Sequence, residues 1–554
     1  MSHLRSFLLV LLICLPVAVL ATGVRIPFLD ARTGLPRPPA VPSGDQELAW
    51  VHTSTSWTNW ERFVSGVARA QQLVPGLHVD DSRAFRDQSF ELPELVLSMD
   101  GRPGNLRIRW YKLTGDVNTT QWIQALAARD PAPLAVVGGG SSDRALDLAR
   151  ALAAQTTWQG DRPLLFLTTA TADELTSEPD AVAPPPEQLR QTRGLLSVYD
   201  DRSFRFCFSN RQMAEAVLDF VWERPELRPQ LYADVAPFAA ASGVIAGLPS
   251  KPRTPPPTQR PQVFSVVWND DPFSTDLYLQ FGQVIREKLS PDKEPARMPV
   301  GFASWGLPYS VGGFTRPNQY EARVAESIIQ QYRELPPQRS LLVLPTVTQP
   351  ARRLLRTLSD AAPQIAHRMV TVTGDGISLN AVFRDGEFAW PLHSIPVPLV
   401  LFMHNNPVDW DPPGPVKDVP PGYELRPPSS TEDVLHFAEL TRIVTQAAFG
   451  LPCGDPNGLT DAGRLMTRAD DLALRLRGRC PPFFDNTGNR LGGTGEYVVV
   501  VQPLAPGENG SPTADPRARL DVYRRREDRQ WESVRTLTVD QWRTRSPIAE
   551  ANAE

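Results

Sequence analysis

The side chains in this sequence that could do chemistry sit in short stretches directly after apolar runs. They are Val137-Gly-Gly-Gly-Ser-Ser142, Phe166-Leu-Thr-Thr-Ala-Thr171, Trp268-Asn-Asp-Asp-Pro-Phe273, Pro345-Thr-Val-Thr-Gln349 and Thr373-Gly-Asp-Gly376. Hydroxyls, glycines and acids dominate them, a composition suited to holding a polar molecule. Ser141 or Ser142 opens a helix, and the free N–H groups and dipole of a helix start favour a carboxylate. Asp375 can accept a charge-assisted bond from a cation, worth about 1.5–3 kcal/mol. Plainer readings stand beside these: Gly138–Ser142 as an N-cap after a tight turn, Thr169 and Thr171 as helix caps, Asp375 as a surface turn. Asn269-Asp270-Asp271 has the residue types of a metal cluster, but a strand end followed by an Asp-Pro turn explains it better. Asp485-Asn-Thr-Gly-Asn489 lacks the acid spacing of a calcium loop and reads as a turn, as does His404-Asn-Asn-Pro407.

No P-loop, strand-linked G-x-G-x-x-G, G-x-S-x-G, H-E-x-x-H or paired C-x-x-C occurs. The seven histidines are scattered. The expectation is therefore a binding protein rather than an enzyme, with no cofactor and no metal. A hydrolase using the same stretches is a third reading that no nucleophile–base pattern supports.

The elements that must position these stretches alternate along the chain. Glu47–Thr53 reads as a strand and Trp57–Gln72 as a helix. Leu106–Tyr111 is a strand, a helix opens at Thr120, and Leu134–Val137 and Leu164–Leu167 are buried strands around a helix with Ala145, Leu148, Ala149 and Leu152 on its apolar face. Residues 250–262 carry too many prolines for a helix or a central strand. Beyond them the pattern resumes with a strand at Val263–Trp268 and helices at Ser274–Leu289 and Asn318–Leu335. Further strands at Leu341–Leu344 and Met369–Thr373 enclose a helix at Gln349–Leu358, and the apolar run Val397–Met403 precedes a helix at Thr431–Ala448. Tyr497–Val501 and Leu520–Tyr523 read as a hairpin. The fold class expected is α/β, two doubly wound parallel-sheet lobes joined by a hinge, with a C-terminal hairpin.

The 554 residues call for more than one packing unit. A net charge of −5 and no basic block exclude a nucleic-acid partner. Arg5 followed by the apolar run Phe7–Ala21 matches an export signal. The run falls short of the about 20 residues of a spanning helix, so cleaved signal leads retained anchor, and any membrane contact is through this segment. Cys14 leaves with a cleaved signal. Cys453 and Cys480 flank one segment and could pair in an oxidising compartment. Cys207, between Phe206 and Phe208, reads as a buried thiol rather than a nucleophile.

At the loop stretches the sequence resembles the type I periplasmic solute-binding proteins, the Leu/Ile/Val- and amide-binding receptors. Val137–Ser142, Phe166–Leu175, Phe204–Ala216 and Trp268–Leu277 carry the resemblance, in order, within about Glu47–Val501. It implies that the carboxylate-binding serine is Ser141, with Ser142 one residue away, and that Thr169 and Thr171 supply the next contacts. Phe273 falls where an aromatic covers the ligand, Val347 and Thr348 on the facing loop, and Asp375 where an acid receives an ammonium group. Phe273 stands in place of the usual tyrosine, and an insertion at 225–262 departs from the pattern. The resemblance further implies a small polar, amino-acid-like ligand, export to the periplasm or the outer face of the cytoplasmic membrane, and membrane subunits of an ABC transporter as partners. A membrane-tethered sensor on the same fold is the alternative. The expected organisation is a signal or anchor at 1–21 and a linker at 22–46. Lobe 1 spans 47–209 plus about 399–450, lobe 2 spans 210–398, and a hairpin region at 451–545 returns to the lobes.

Overall fold

A computed structural model of the chain describes residues 36–85, 92–175, 193–231, 260–289, 300–308, 319–377, 379, 398–407, 431–451, 468–479, 481–493, 495–503 and 518–538. The apolar run Phe7–Ala21 expected to direct export, Cys14, Cys453 and Cys480 lie outside them. Among the described residues no helix is long and apolar enough to cross a membrane.

The first sheet contains β1 (Gln46–Thr53), β2 (Leu77–Arg83), β3 (Glu94–Met99), β4 (Leu106–Leu113), β5 (Ala135–Gly138) and β6 (Leu164–Leu167). After a short ribbon of β7 (Glu174–Leu175) and β8 (Arg193–Gly194), β9 (Ser203–Arg205) completes it. Its order is β2-β3-β4-β1-β5-β6-β9, with β4, β1, β5, β6 and β9 mutually parallel. The intervening helices are α1 (Trp57–Leu73), α2 (Thr119–Ala127) and α3 (Ser142–Ala154). Apolar runs such as Ala135–Gly138 and Leu164–Leu167 are buried throughout, as strands covered on both faces must be.

The second unit opens with α4 (Asn210–Trp222), β10 (Gln230–Leu231), β11 (Gln262–Trp268), α5 (Pro272–Leu289) and β12 (Gly301–Leu307). It continues with α6 (Gln319–Glu334), β13 (Gln338–Val343), α7 (Thr348–Ala361), α8 (Pro363–Ala366), β14 (Met369–Val372) and β15 (Leu399–Met403). The chain ends with α9 (Thr431–Ala448), α10 (Ala469–Arg477), β16 (Tyr497–Pro503), β17 (Ala518–Arg525) and β18 (Trp531–Thr538). The second sheet runs β12-β11-β13-β14-β15 in parallel, and β16, β17 and β18 extend it antiparallel.

Counted in chain order, the parallel part of each sheet follows the sequence 2-1-3-4-5, the doubly wound flavodoxin-like order. Helices cover both faces of both sheets. One face of the first packs against α1, α9 and α10, the other against α2 and α3. The second is flanked by α6, α7 and α8 on one side and by α4 and α5 on the other. The fold class read from the sequence is therefore the one observed, and the two sheets form the two lobes.

One expectation needs correction. The stretch 399–450 does not return to the first lobe as a unit. β15 pairs with β14 and β16 in the second sheet, and only α9 packs on α1 in the first. A strand buried on both faces carries no pattern that says which sheet it joins. The C-terminal hairpin is observed as β16 and β17, and β18 extends it into a three-stranded meander on the second sheet. Gly66 permits the α1–α9 approach, since a Cβ there would stand 2.5 Å from Phe437 Cβ.

Candidate functional site

A 2-1-3-4-5 sheet leaves a crevice at the carboxyl ends of its first and third parallel strands, because the connections there depart in opposite directions. In the first lobe those ends are the loops after β1 and β5. In the second they are the loops after β11 and β13. Three of the five sequence-picked stretches lie on these loops, and the other two, after β6 and β14, lie beside them.

The loop after β5 is built on glycine for steric reasons. Gly139 has φ +77°, a Cβ on Gly138 would stand 2.7 Å from Leu148 Cδ2, and one on Gly140 would stand 2.3 Å from His52 Nε2. Ser141 is the N-cap of α3 by backbone position, yet its side chain makes no capping bond. Ser142 is buried, and its Oγ accepts from the Ala172 N–H at 3.3 Å. That bond ties the β5 loop to the β6 loop. The Thr168 and Thr169 hydroxyls donate back to the Gly138 and Gly139 carbonyls at 3.3 and 3.4 Å. Thr171 differs: its hydroxyl is buried and has no partner among the described residues. Ser141 and Thr171 are thus the hydroxyls of this wall that the loop's own bonds leave unengaged.

In the second lobe Asp271 Oδ1 accepts from the Phe273 N–H at 3.1 Å, an Asx turn that starts α5. Phe273 lies against Gly376, where a Cβ would meet its ring at 3.1 Å and the Thr346 carbonyl oxygen at 2.6 Å. Thr348 Oγ1 donates to the Gly376 carbonyl at 3.5 Å, and Val347 is the N-cap of α7. Phe273, Val347, Thr348 and Asp375 therefore come together on one wall.

Asp375 is not the bare surface turn that its flanking glycines suggest. Its Oδ2 accepts from His404 Nε2 at 2.8 Å, and its Oδ1 is buried without a partner among the described residues. His404 Nδ1 accepts from the Phe208 N–H at 3.2 Å, which assigns the ring proton to Nε2. The His404–Pro407 turn read from sequence is thus the seat of a positioning histidine.

The two walls are joined where the chain passes between lobes: after β9, after β15 and before β16. The Asn210 N–H donates to the Thr171 carbonyl at 2.7 Å. His436 of α9 donates through Nε2 to the Thr168 carbonyl at 2.7 Å, and its ring centroid lies 5.7 Å from that of His404. Burial, and then the nearby His404 and Arg490, push His436 down to about 3, so it is neutral. Arg490 is buried among the crossings. It donates to the Phe206 carbonyl at 3.2 Å and the His404 carbonyl at 3.5 Å, and its guanidinium lies 4.0 Å from the Phe208 ring centroid. Burial pushes this cation down to about 10. No hydrogen bond among the described residues joins Ser141 or Thr171 directly to Phe273 or Asp375. The link runs through Phe208, Asn210 and His404.

His404, His436, Asn210 and Arg490 were missed by sequence reasoning. Each acts across a long separation, as His436 does on Thr168, and no local pattern marks them. Cys207 matches its reading: it is fully buried, and burial pushes its thiol up to about 12.

No protein-family model matches the chain, and no curated protein matches it. Solved structures similar to it include substrate-binding proteins of ABC transporters. One, from Desulfitobacterium hafniense, is 11% identical, covering 88% of this chain and 100% of that one at a TM-score of 0.43. A leucine-binding protein from Thermotoga maritima is 10% identical, covering 89% and 98% at 0.40. A solute-binding protein from R. palustris in complex with 4-hydroxybenzoate is 8% identical, covering 89% and 97% at 0.45.

Proposed function

We propose that this protein is an extracytoplasmic solute-binding protein whose two lobes close around a small polar ligand, an amino acid or a related compound, for ABC-type uptake. What supports the reading is the doubled crevice: two sheets of the same 2-1-3-4-5 order each present the switch-point loops on which such folds bind ligands. Ser141 and Thr171 offer hydroxyls beside the α3 start in the first lobe, and Asp375 offers an unpartnered carboxylate oxygen in the second. Anion and cation recognition split between lobes makes the ligand a clamp, since full contact requires both walls. Thr169, Val347 and Thr348 shape the loops, and Phe273 covers the crevice. The lobes are taken as 47–209 with α9 and α10, and 210–403 with the C-terminal meander.

A thermal-shift panel of amino acids, amides, small acids and sugars tests this. A true ligand at about 100 times its Kd adds roughly 2.7 kcal/mol to stability. In Asp375→Ala that ligand should bind about 10- to 100-fold more weakly, the loss of one charge-assisted bond. A flat response across the panel, or unchanged affinity in the variant, would sink the reading or its Asp375 assignment respectively.

A further inference from the structure

Among the described residues, the side chain that accepts most hydrogen bonds between the lobes is none of those singled out so far. Asp276 lies in α5 of the second lobe and is buried. Its Oδ2 accepts from the Asp173 N–H at 2.9 Å and from Asn210 Nδ2 at 2.8 Å. Its Oδ1 accepts from the Glu174 N–H at 3.1 Å and from Gln280 Nε2 at 3.3 Å. Two consecutive main-chain donors of the first lobe thus converge on one carboxylate of the second, the arrangement by which backbone N–H groups hold anions.

We propose that Asp276 is a positioning residue, a clasp through which the second lobe holds the first-lobe loop carrying Thr169 and Thr171. The loop has further supports close by. The Asp173 carboxylate accepts from Arg205 Nη1 and from the Arg211 N–H, both at 2.9 Å. Asn210, which donates its side chain to Asp276, donates its N–H to the Thr171 carbonyl. Moving α5 away from the first lobe breaks the two bonds to residues 173 and 174 while leaving Gln280, on the same helix, in place. The clasp therefore exists only with the lobes together, and it sets how strongly they dock before any solute adds its own contacts. Burial, with the Asp173 carboxylate adding to it, pushes Asp276 up to about 6, so the carboxylate is ionised at pH 8.

Hydrogen exchange of peptides spanning 171–175, with small-angle X-ray scattering of the same samples at pH 8, tests the clasp. Asp276→Ala and Asp276→Leu should each speed exchange at these amides by about tenfold or more and raise the radius of gyration read from scattering. The leucine leaves no cavity where the alanine does, so an effect shared by both variants belongs to the lost acceptors rather than to lost packing. Unchanged exchange in either variant, with circular dichroism showing it folded, overturns the proposal. If both fail to fold, Asp276→Asn decides. Its single acceptor should leave one of the two amides faster, and wild-type exchange at both overturns the clasp. No solute enters these measurements, so a flat ligand panel would sink the proposed function without touching this result.

Discussion

The two lobes share a strand order and differ in how they finish it. The first extends its sheet beyond β4 with the antiparallel pair β3 and β2, and the second extends beyond β15 with the meander β16–β18. The additions lie at opposite ends of the common 2-1-3-4-5 unit, so in both lobes the switch point stays uncovered. Their buried charges contrast as well. In the first lobe Glu47 accepts from Arg109 and Arg129 and from the Tyr111 hydroxyl, while Glu94 accepts from Arg107 and Arg109. Arg109 and Arg129 also reach the Pro39 carbonyl, so the network fastens the segment leading into β1. In the second lobe the buried charges form smaller, separate groups: Glu321 pairs with Arg353 between α6 and α7, and Arg525 of β17 bridges Glu496 and Asp219. Topology alone does not prescribe this electrostatics. The first lobe has an incoming strand and its leader to anchor, and the second has a helix pair to lock.

Removing the hub of the larger network should cost most. Glu47→Ala removes the carboxylate shared by two buried guanidiniums and the Tyr111 hydroxyl, leaving Arg109 with Glu94 and Arg129 with no carboxylate partner among the described residues, and denaturant unfolding should show a loss of about 3–5 kcal/mol. Glu321→Gln keeps the shape and one acceptor for Arg353, so a loss of about 1.5–3 kcal/mol is expected from the same measurement. If Glu321→Gln proved the costlier, the contrast between one extended network in the first lobe and separate small groups in the second would be broken.

The smallest effect has the opposite sign and concerns the face between the lobes. Burial pushes Asp271 up to about 6 against the hydrogen bond from the Phe273 N–H, and the Asp143 carboxylate of the first lobe adds to the rise. A carboxyl whose folded pKa is raised stabilises the fold fully only below the unfolded value near 3.8, and that contribution is lost as pH rises through about 6. Asp271→Asn keeps the turn-capping oxygen without the charge. It should therefore gain about 1–2 kcal/mol over the parent at pH 7.5 and nothing at pH 3.5, read from paired melting curves. Equal stability at both values would mean that the two lobes do not crowd their acids at this face.

Much of the molecule could be read from its residues. The strands β1, β5, β6, β11, β13 and β15 appear as apolar runs because a parallel strand covered on both faces has no polar side to show. The amphipathic helices appear by their spacing, and α9 begins and ends where the pattern says. Loops at the ends of such strands can be picked out by composition, which brings Ser141, Thr171 and Asp375 into view, whereas Phe273 is marked only by the family resemblance. By contrast β2, with residues such as His78, Asp80 and Arg83 exposed or half-exposed, has little to separate it from a loop. β12 alternates between exposed and half-buried residues through Gly301, Ser304 and Gly306, and it too was unmarked.

Sequence by itself determined the α/β alternation and where each strand must end, since burial and chain reversal leave local chemical marks. Tertiary structure alone decided which sheet β15 joins, that His404 engages Asp375, that Arg490 is buried among the crossings and that Asp276 meets the amides of residues 173 and 174. Those contacts form between residues far apart along the chain, and a side chain carries no local sign of a partner brought to it only by folding.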